Sequence, residues 1–251
     1  RVKEAQSKPS AVNELLCKTF NVWVSANSAW MDVQHWIDSP EVVEETPEAT
    51  FIAFDLAATR DLNAVCTLHR YEQNRFAARF KFFLPEDSLD FIPTHYKPIF
   101  MQAIQRGSLV LTEGNVTDYS QIESYIKDEA EKWQAKEIGY DAWNAASLVS
   151  KLYENGLPVK KIGQGMAVLS NPSKFVEKSI MSKSIAHEHD PFVEWQLGNC
   201  EIYEDINGNK KVRKNSADTN AKIDGIISMI MAFHCALDNP FVSDSFGFRA
   251  F

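Results

Sequence analysis

"FIAFDLAATRDLNAVCTLHR", Phe51 to Arg70, is the stretch on which the fold of this chain turns. Phe51, Ile52, Ala53, Phe54 and Leu56 make an almost unbroken apolar run, the pattern of a strand covered on both faces. Asp55 sits inside that run. A lone carboxylate in a buried strand is costly unless it is paired, protonated or bound to a cation. The first strand is expected over residues 50–57. "NAVCTLHR" and "RFAARFKFFLP" supply two more strands after short gaps, so an antiparallel meander is the natural arrangement.

Beyond the meander the pattern changes to alternating units. A helix is expected near 91–106, a short strand at "SLVLT", and a helix in "DYSQIESYIKDEAEKW" with Thr117, Asp118 and Gln121 as its capping arrangement. The strand "EIGYD" follows, then the helix "WNAASLVSKLYENG" ended by Gly156, and a further helix at about 172–186. "CEIYEDINGNKKVRK" reads as a hairpin turning at Asn207-Gly208. "AKIDGIISMIMAFHCAL" is a long apolar helix whose Ile/Met run at 226–231 belongs to the core. Three meander strands followed by alternating helices and strands indicate a mixed α/β sheet with helices on its faces.

Upstream of Phe51 the chain is different. "AVNELLCKTFNVWV" and "SAWMDVQHWID" are two short amphipathic pieces containing Trp23, Trp30 and Trp36, which are expected to pack onto a neighbour. The Pro- and Glu-rich "SPEVVEETPEAT" reads as a linker. The main boundary is placed there, with residues 1–49 as an N-terminal segment and 50–251 as the main domain. The start at Arg1 suggests a fragment of a longer protein. The 251 residues, 45% hydrophobic and 24% charged, have ordinary globular composition. No apolar run approaches the roughly 18 residues of a membrane span, and no secretory signal opens the chain. Cys17, Cys66, Cys200 and Cys235 form no Cys-x-x-Cys pair and read as reduced cysteines. The net charge of −8 argues against a protein that coats nucleic acid, though not against an enzyme that grips it through a local basic patch.

Two further acids stand out. "EIGYDAWNA" puts Asp141 where a strand turns into a helix, and "AKIDGIISMIMA" puts Asp224 in the first turn of the last helix. With Asp55, three carboxylates sit on three elements that can converge at one edge of a sheet. Hard divalent cations such as Mg²⁺ and Mn²⁺ prefer carboxylate oxygens and retain waters. Two such ions about 4 Å apart can activate water on one side of a phosphodiester and stabilise the leaving oxygen on the other. Each acid also has a plainer role. Asp55 can be a hydrogen-bonded strand-end aspartate, Asp141 a helix cap, and Asp224 a partner of the helix dipole.

"FIAFDLAATRDLNAV", "YDAWNA" and "KIDGIISMIMA" resemble the C-terminal nuclease domain of tailed-phage terminase large subunits. "FFLPED", "GSLVLTEGNVTDYSQI" and "DPFVEWQLGNCEIYEDINGNKK" fit the same family in the same order, over most of residues 20–238. The resemblance implies an RNase H-like fold and a divalent-metal-dependent endonuclease that cuts concatemeric double-stranded viral DNA during genome packaging. It carries the family's acidic residues onto Asp55, Asp141 and Asp224, with two Mg²⁺ or Mn²⁺ ions as cofactors. Asp61, in the shared D-L-x-x-T-x-D-L pattern, becomes an auxiliary ligand or a turn former. The partners implied are an ATPase motor, a terminase small subunit and a portal, at the procapsid in the host cytoplasm. No G-x-x-x-x-G-K-[ST] phosphate loop is present, so no nucleotide site is expected in this chain. His187 and His189 stand where the family commonly has a histidine before "DPFVEWQLGN"; either can lie near the metal site or be merely polar and exposed, and the second is the expectation.

From Lys151 to Lys222 eleven Lys/Arg face nine Asp/Glu, a local excess of positive charge. Lys210, Lys211, Arg213 and Lys214 on the hairpin, and Lys174, Lys178 and Lys183 at helical spacing, are the candidate phosphate contacts. No base-reading motif is visible, so weak and salt-sensitive DNA binding is expected. Two other readings stay open: another RNase H-like nuclease of resolvase or transposase type, and a non-catalytic docking module for a motor and a portal.

Overall fold

The computed structural model describes residues 29–57, 60–205, 208–215 and 217–240. Strands β1 (Ala49–Asp55), β2 (Asn63–Tyr71) and β3 (Arg75–Pro85) form the antiparallel meander. β4 (Leu109–Thr112) adds parallel to β3. β5 (Glu137–Tyr140) adds parallel to β1, and β6 (Val159–Lys161) parallel to β5. The order is β4-β3-β2-β1-β5-β6, and β7 (Ile185–His187) pairs with β3 on the same edge as β4. β1 is therefore the junction where an antiparallel neighbour on one side meets a parallel neighbour on the other. This is the mixed α/β sheet expected from the alternation of elements.

Side chains alternate across a strand with period 2, and here they build two cores. Phe51 and Ala53 of β1, Cys66 and Leu68 of β2 and Phe80 and Phe82 of β3 face one way. Over them lie α2 (Lys97–Arg106), α5 (Met166–Met181), α6 (Pro191–Gly198) and α7 (Asp224–Asp238). Ile52, Phe54, Val65 and Phe83 face the other way, against α3 (Tyr119–Trp133) and α4 (Ala146–Glu154). The two-sided apolar run of β1 has this cause. α7 carries the Ile/Met run, with Ile226, Met229, Ile230 and Met231 fully buried.

The structure corrects several expected elements. The helix placed at 172–186 runs from Met166 to Met181, with Pro172 inside it, and Ile185–His187 is a strand. The helix near 91–106 begins at Lys97, preceded by a 3-10 turn over Glu86–Phe91. "DPFVEWQLGN" forms α6, capped by the Asp190 side chain, which accepts from Phe192 N–H at 2.9 Å. α3 is capped by Asp118, accepting from Ser120 N–H at 2.8 Å. β8 (Cys200–Glu204) and β9 (Lys210–Lys214) pair as the expected hairpin; Gly208 has φ 75°, and Asn207 lies outside the described residues.

"VQHWI" forms a short helix, α1 (Val33–Ile37). Trp30 and Trp36 pack into the core of the sheet domain itself, Trp36 fully buried; Trp23 and Cys17 lie outside the described residues. Among the described residues no helix is long and apolar enough to cross a membrane.

Candidate nuclease site

Asp55 ends β1. Its row, Phe51-Ala53-Asp55, points to the face covered by α7. β5 runs parallel beside β1 with Phe54 opposite Tyr140, so the next step in register sets Asp141 beside Asp55 at the same strand ends. α7 begins at Asp224, over those ends. The approach is close because β5 and α7 carry glycines where they face other elements. A Cβ on Gly139 would stand 2.8 Å from Cys235 Sγ, and one on Gly225 would stand 2.8 Å from the Phe82 ring. The Gln196 side chain accepts from Gly225 N–H at 2.8 Å and fixes the first turn of α7.

Asp55, Asp141 and Asp224 line one cleft of about 270 Å³, together with Asp61, Gln164, Lys214 and Lys222. Crevices at the carboxyl ends of parallel strands are the usual binding sites of open α/β sheets. Burial, and then the charges of Asp224, Asp141 and Asp61, push the Asp55 carboxyl up to about 8. Burial and the Asp61 charge push Asp224 up to about 6, while Lys222 and backbone N–H groups oppose the rise. Asp141 accepts from Trp143 N–H at 3.4 Å in the turn before α4, but Ala145 is the N-cap of α4 and Asp141 does not cap it. Asp61 forms a salt bridge with Lys222 at the cleft mouth.

Asn63 holds the loop that carries Asp61. It accepts from Ala57 N–H at 3.0 Å and donates to Asp61 O at 3.1 Å and to Thr117 Oγ1 at 2.9 Å. The sequence reading passed over Asn63, Gln164, Gln196 and Lys222. Lys222 had a visible signal, two residues before Asp224.

The basic candidates divide. Lys214 lines the cleft, its ammonium donating to Thr219 O at 3.0 Å. Lys210 forms a salt bridge with Glu177 at 3.1 Å, and with Lys174 and Lys178 it borders a different surface. Arg213 stands 3.7 Å from Glu201, and Lys211 pairs across the hairpin with Tyr203. Neither His187 nor His189 lines the cleft. His187 is buried rather than exposed, stacked on Trp36 at 3.9 Å. Its strand, missed at the sequence level, turns it inward.

A carboxylate-only donor set, in which Asp55 and Asp224 have raised proton affinity, fits a hard divalent cation, which would relieve the repulsion. Among the described residues no three acidic, histidine or cysteine side chains are drawn closely around one point.

A family model described as "Terminase large subunit, endonuclease domain" matches residues 1–239. The chain is 26% identical over 243 residues to Protein YmfN of Escherichia coli strain K12, covering 92% of this chain and 53% of that protein. A crystal structure of the HK97 bacteriophage large terminase superposes with a TM-score of 0.75 at 22% identity, over 93% of this chain and 49% of that one. The large terminase nuclease of thermophilic phage G20c, crystallised with bound magnesium, gives 0.54 at 14% identity, over 84% of this chain and 98% of that one. The chain thus spans about half the length of YmfN and of the HK97 protein. The mixed sheet is of the RNase H-like type that these nuclease domains share.

Proposed function

This chain belongs to the terminase large subunit endonuclease-domain family, and on that premise we propose that it is a divalent-metal-dependent endonuclease cutting concatemeric double-stranded viral DNA during packaging. The observation that carries the reading is the convergence of Asp55, Asp141 and Asp224 on one cleft at the carboxyl ends of β1 and β5. These three would hold two Mg²⁺ or Mn²⁺ ions, with Asp61 auxiliary. When bound, such ions neutralise the carboxylates and supply Lewis acidity for phosphodiester hydrolysis.

The chain's own residues have separable tasks. Asp55 and Asp224, both with elevated proton affinity, must lose their protons to ligate, so ion binding competes with protonation. Lys214 and Lys222 bring positive charge to the cleft where a DNA phosphate would lie. The Lys222–Asp61 pair lets the lysine exchange its carboxylate partner for a phosphate. Lys210, Lys211, Arg213, Lys174 and Lys178 would grip the duplex further out. The magnesium-bound G20c relative supports the choice of ion. An ATPase motor, a small subunit and a portal are the proposed partners, with the reaction at the procapsid in the host cytoplasm.

The test is plasmid cleavage with Mg²⁺, Mn²⁺ or EDTA. The expected result is cutting that needs the ion and falls at least a hundredfold in Asp55→Asn and Asp224→Asn, a loss in the range seen when catalytic electrostatics are removed. Undiminished cutting by both variants would overturn the assignment. Failure of the wild type both to bind ions and to cut would favour a non-catalytic docking module.

A further inference from the structure

Beside the aspartate cleft lies a second cavity of about 340 Å³, and the two share Asp61 and Lys222 as a common wall. Its apolar sides are Leu84, Phe91, Pro93 and Phe100. Phe91 is 67% exposed, with the Arg60 guanidinium over one side of its ring, 5.2 Å from the centroid. Ser88 is only 4% exposed and lines this cavity, and its buried Oγ has no hydrogen-bond partner among the described residues. A buried hydroxyl without a partner is costly, and a polar group reaching it would relieve that cost. Tyr96 is held in place by donating to Asp218, and Asn220 lines the same wall.

We propose that this cavity receives a nucleobase of the DNA strand being cut, stacked on Phe91, with its polar edge towards the wall that Ser88 and Asn220 line. The proposal rests on the nuclease reading and adds to it a strand subsite one wall away from the acidic cleft. An aromatic platform accepts any base, because every base presents a π-face. Arg60 and Lys222 both line the cavity, and their cations are available to the phosphates flanking an unstacked base. A base leaves the stack most readily where it is unpaired. The site should therefore prefer DNA with a single-stranded or mismatched nucleotide over fully paired DNA.

The experiment measures oligonucleotide binding at low salt by fluorescence anisotropy, in an Asp55→Asn background that does not consume the DNA. One probe is a fully paired duplex, and the other is the same duplex with a short single-stranded overhang. The expected result is tighter binding of the overhang probe, a roughly tenfold higher Kd for that probe in Phe91→Ala, and recovery in Phe91→Trp. The paired duplex should change less than about twofold. Equal binding of the overhang probe by Phe91→Ala would overturn the proposal. Equal weakening of both probes would do so as well, because it marks a phosphate contact, not a base pocket. Phe91 is exposed, so truncation leaves the fold intact. Plasmid cutting by protein with Asp55 intact is scored separately. Phe91-dependent binding without cutting would retain the pocket and remove the nuclease reading.

Discussion

Asp55 takes its high proton affinity from its place at the end of β1, where burial comes first and the charges of Asp224, Asp141 and Asp61 add to it. The sign of its effect on stability follows from linkage. A carboxyl that ionises near 4 in the unfolded chain and near 8 in the fold binds its proton more tightly when folded. Stability is therefore lost as pH rises across that window. Asparagine carries no such penalty. In chelator near pH 8, Asp55→Asn should raise the thermal midpoint by roughly 2–4 °C, the shift that about 1 kcal/mol produces in a domain of this size. Saturating Mg²⁺ should stabilise the wild type and not the variant. A lower midpoint for the variant in chelator would show that Asp55 makes a stabilising bond. The sequence exposed Asp55 because an acid in an apolar strand is conspicuous. It placed Asp61 below Asp55, as an auxiliary ligand or turn former, through the shared D-L-x-x-T-x-D-L pattern.

At the scale of elements, the position of Asp224 depends on how closely α7 lies on the sheet. Gly225 faces Phe82 and the Gln196 side chain, with no room for a Cβ. Gly225→Ala should cost about 1–3 kcal/mol through overpacking, read as a lower denaturation midpoint. Metal-dependent cutting should fall with it, because the first turn of α7 must lift. Unchanged stability and cutting would mean that Phe82 yields and the approach is not tight. α7 itself was legible in its apolar run. The start of α5 and the strand β7 were not. α5 begins six residues before the expected start, with Pro172 inside it, and a three-residue strand such as Ile185–His187 has too little pattern to be read before its partner β3 is known.

Across the molecule, the segment from Trp30 to Pro47 clasps the sheet domain through a histidine. His187 Nε2–H donates to Trp36 O at 2.7 Å, and Nδ1 accepts from His189 N–H at 3.0 Å, so both nitrogens are satisfied in the neutral ring. The His187 N–H donates to Pro40 O at 3.1 Å, and Val42 N–H donates to His187 O at 3.3 Å. Burial pushes His187 down to about 4, and burial does the same to His69. The unfolded rings take protons near 6.5 and the folded ones do not. Their contribution is full above about pH 6.5 and disappears as pH falls towards about 4. The thermal midpoint should drop over that window, with a shallower slope in His187→Gln. Equal slopes would show that the clasp does not titrate.

The sequence by itself determined the meander, the alternation that follows it, the last helix and the three aspartates, and its motifs resembled the terminase family. These are local signals: a period of 2 or 3.6, a turn residue, an acid where apolar residues belong. Tertiary structure alone decided that Lys214 faces the cleft while Lys210 turns to Glu177, that His187 is buried, and that Ser88, Phe91 and Arg60 meet at one cavity. The physical reason is that these facts concern proximity between residues far apart in the chain. Strand register and helix docking set that proximity, and neither is encoded in the neighbours of any one residue.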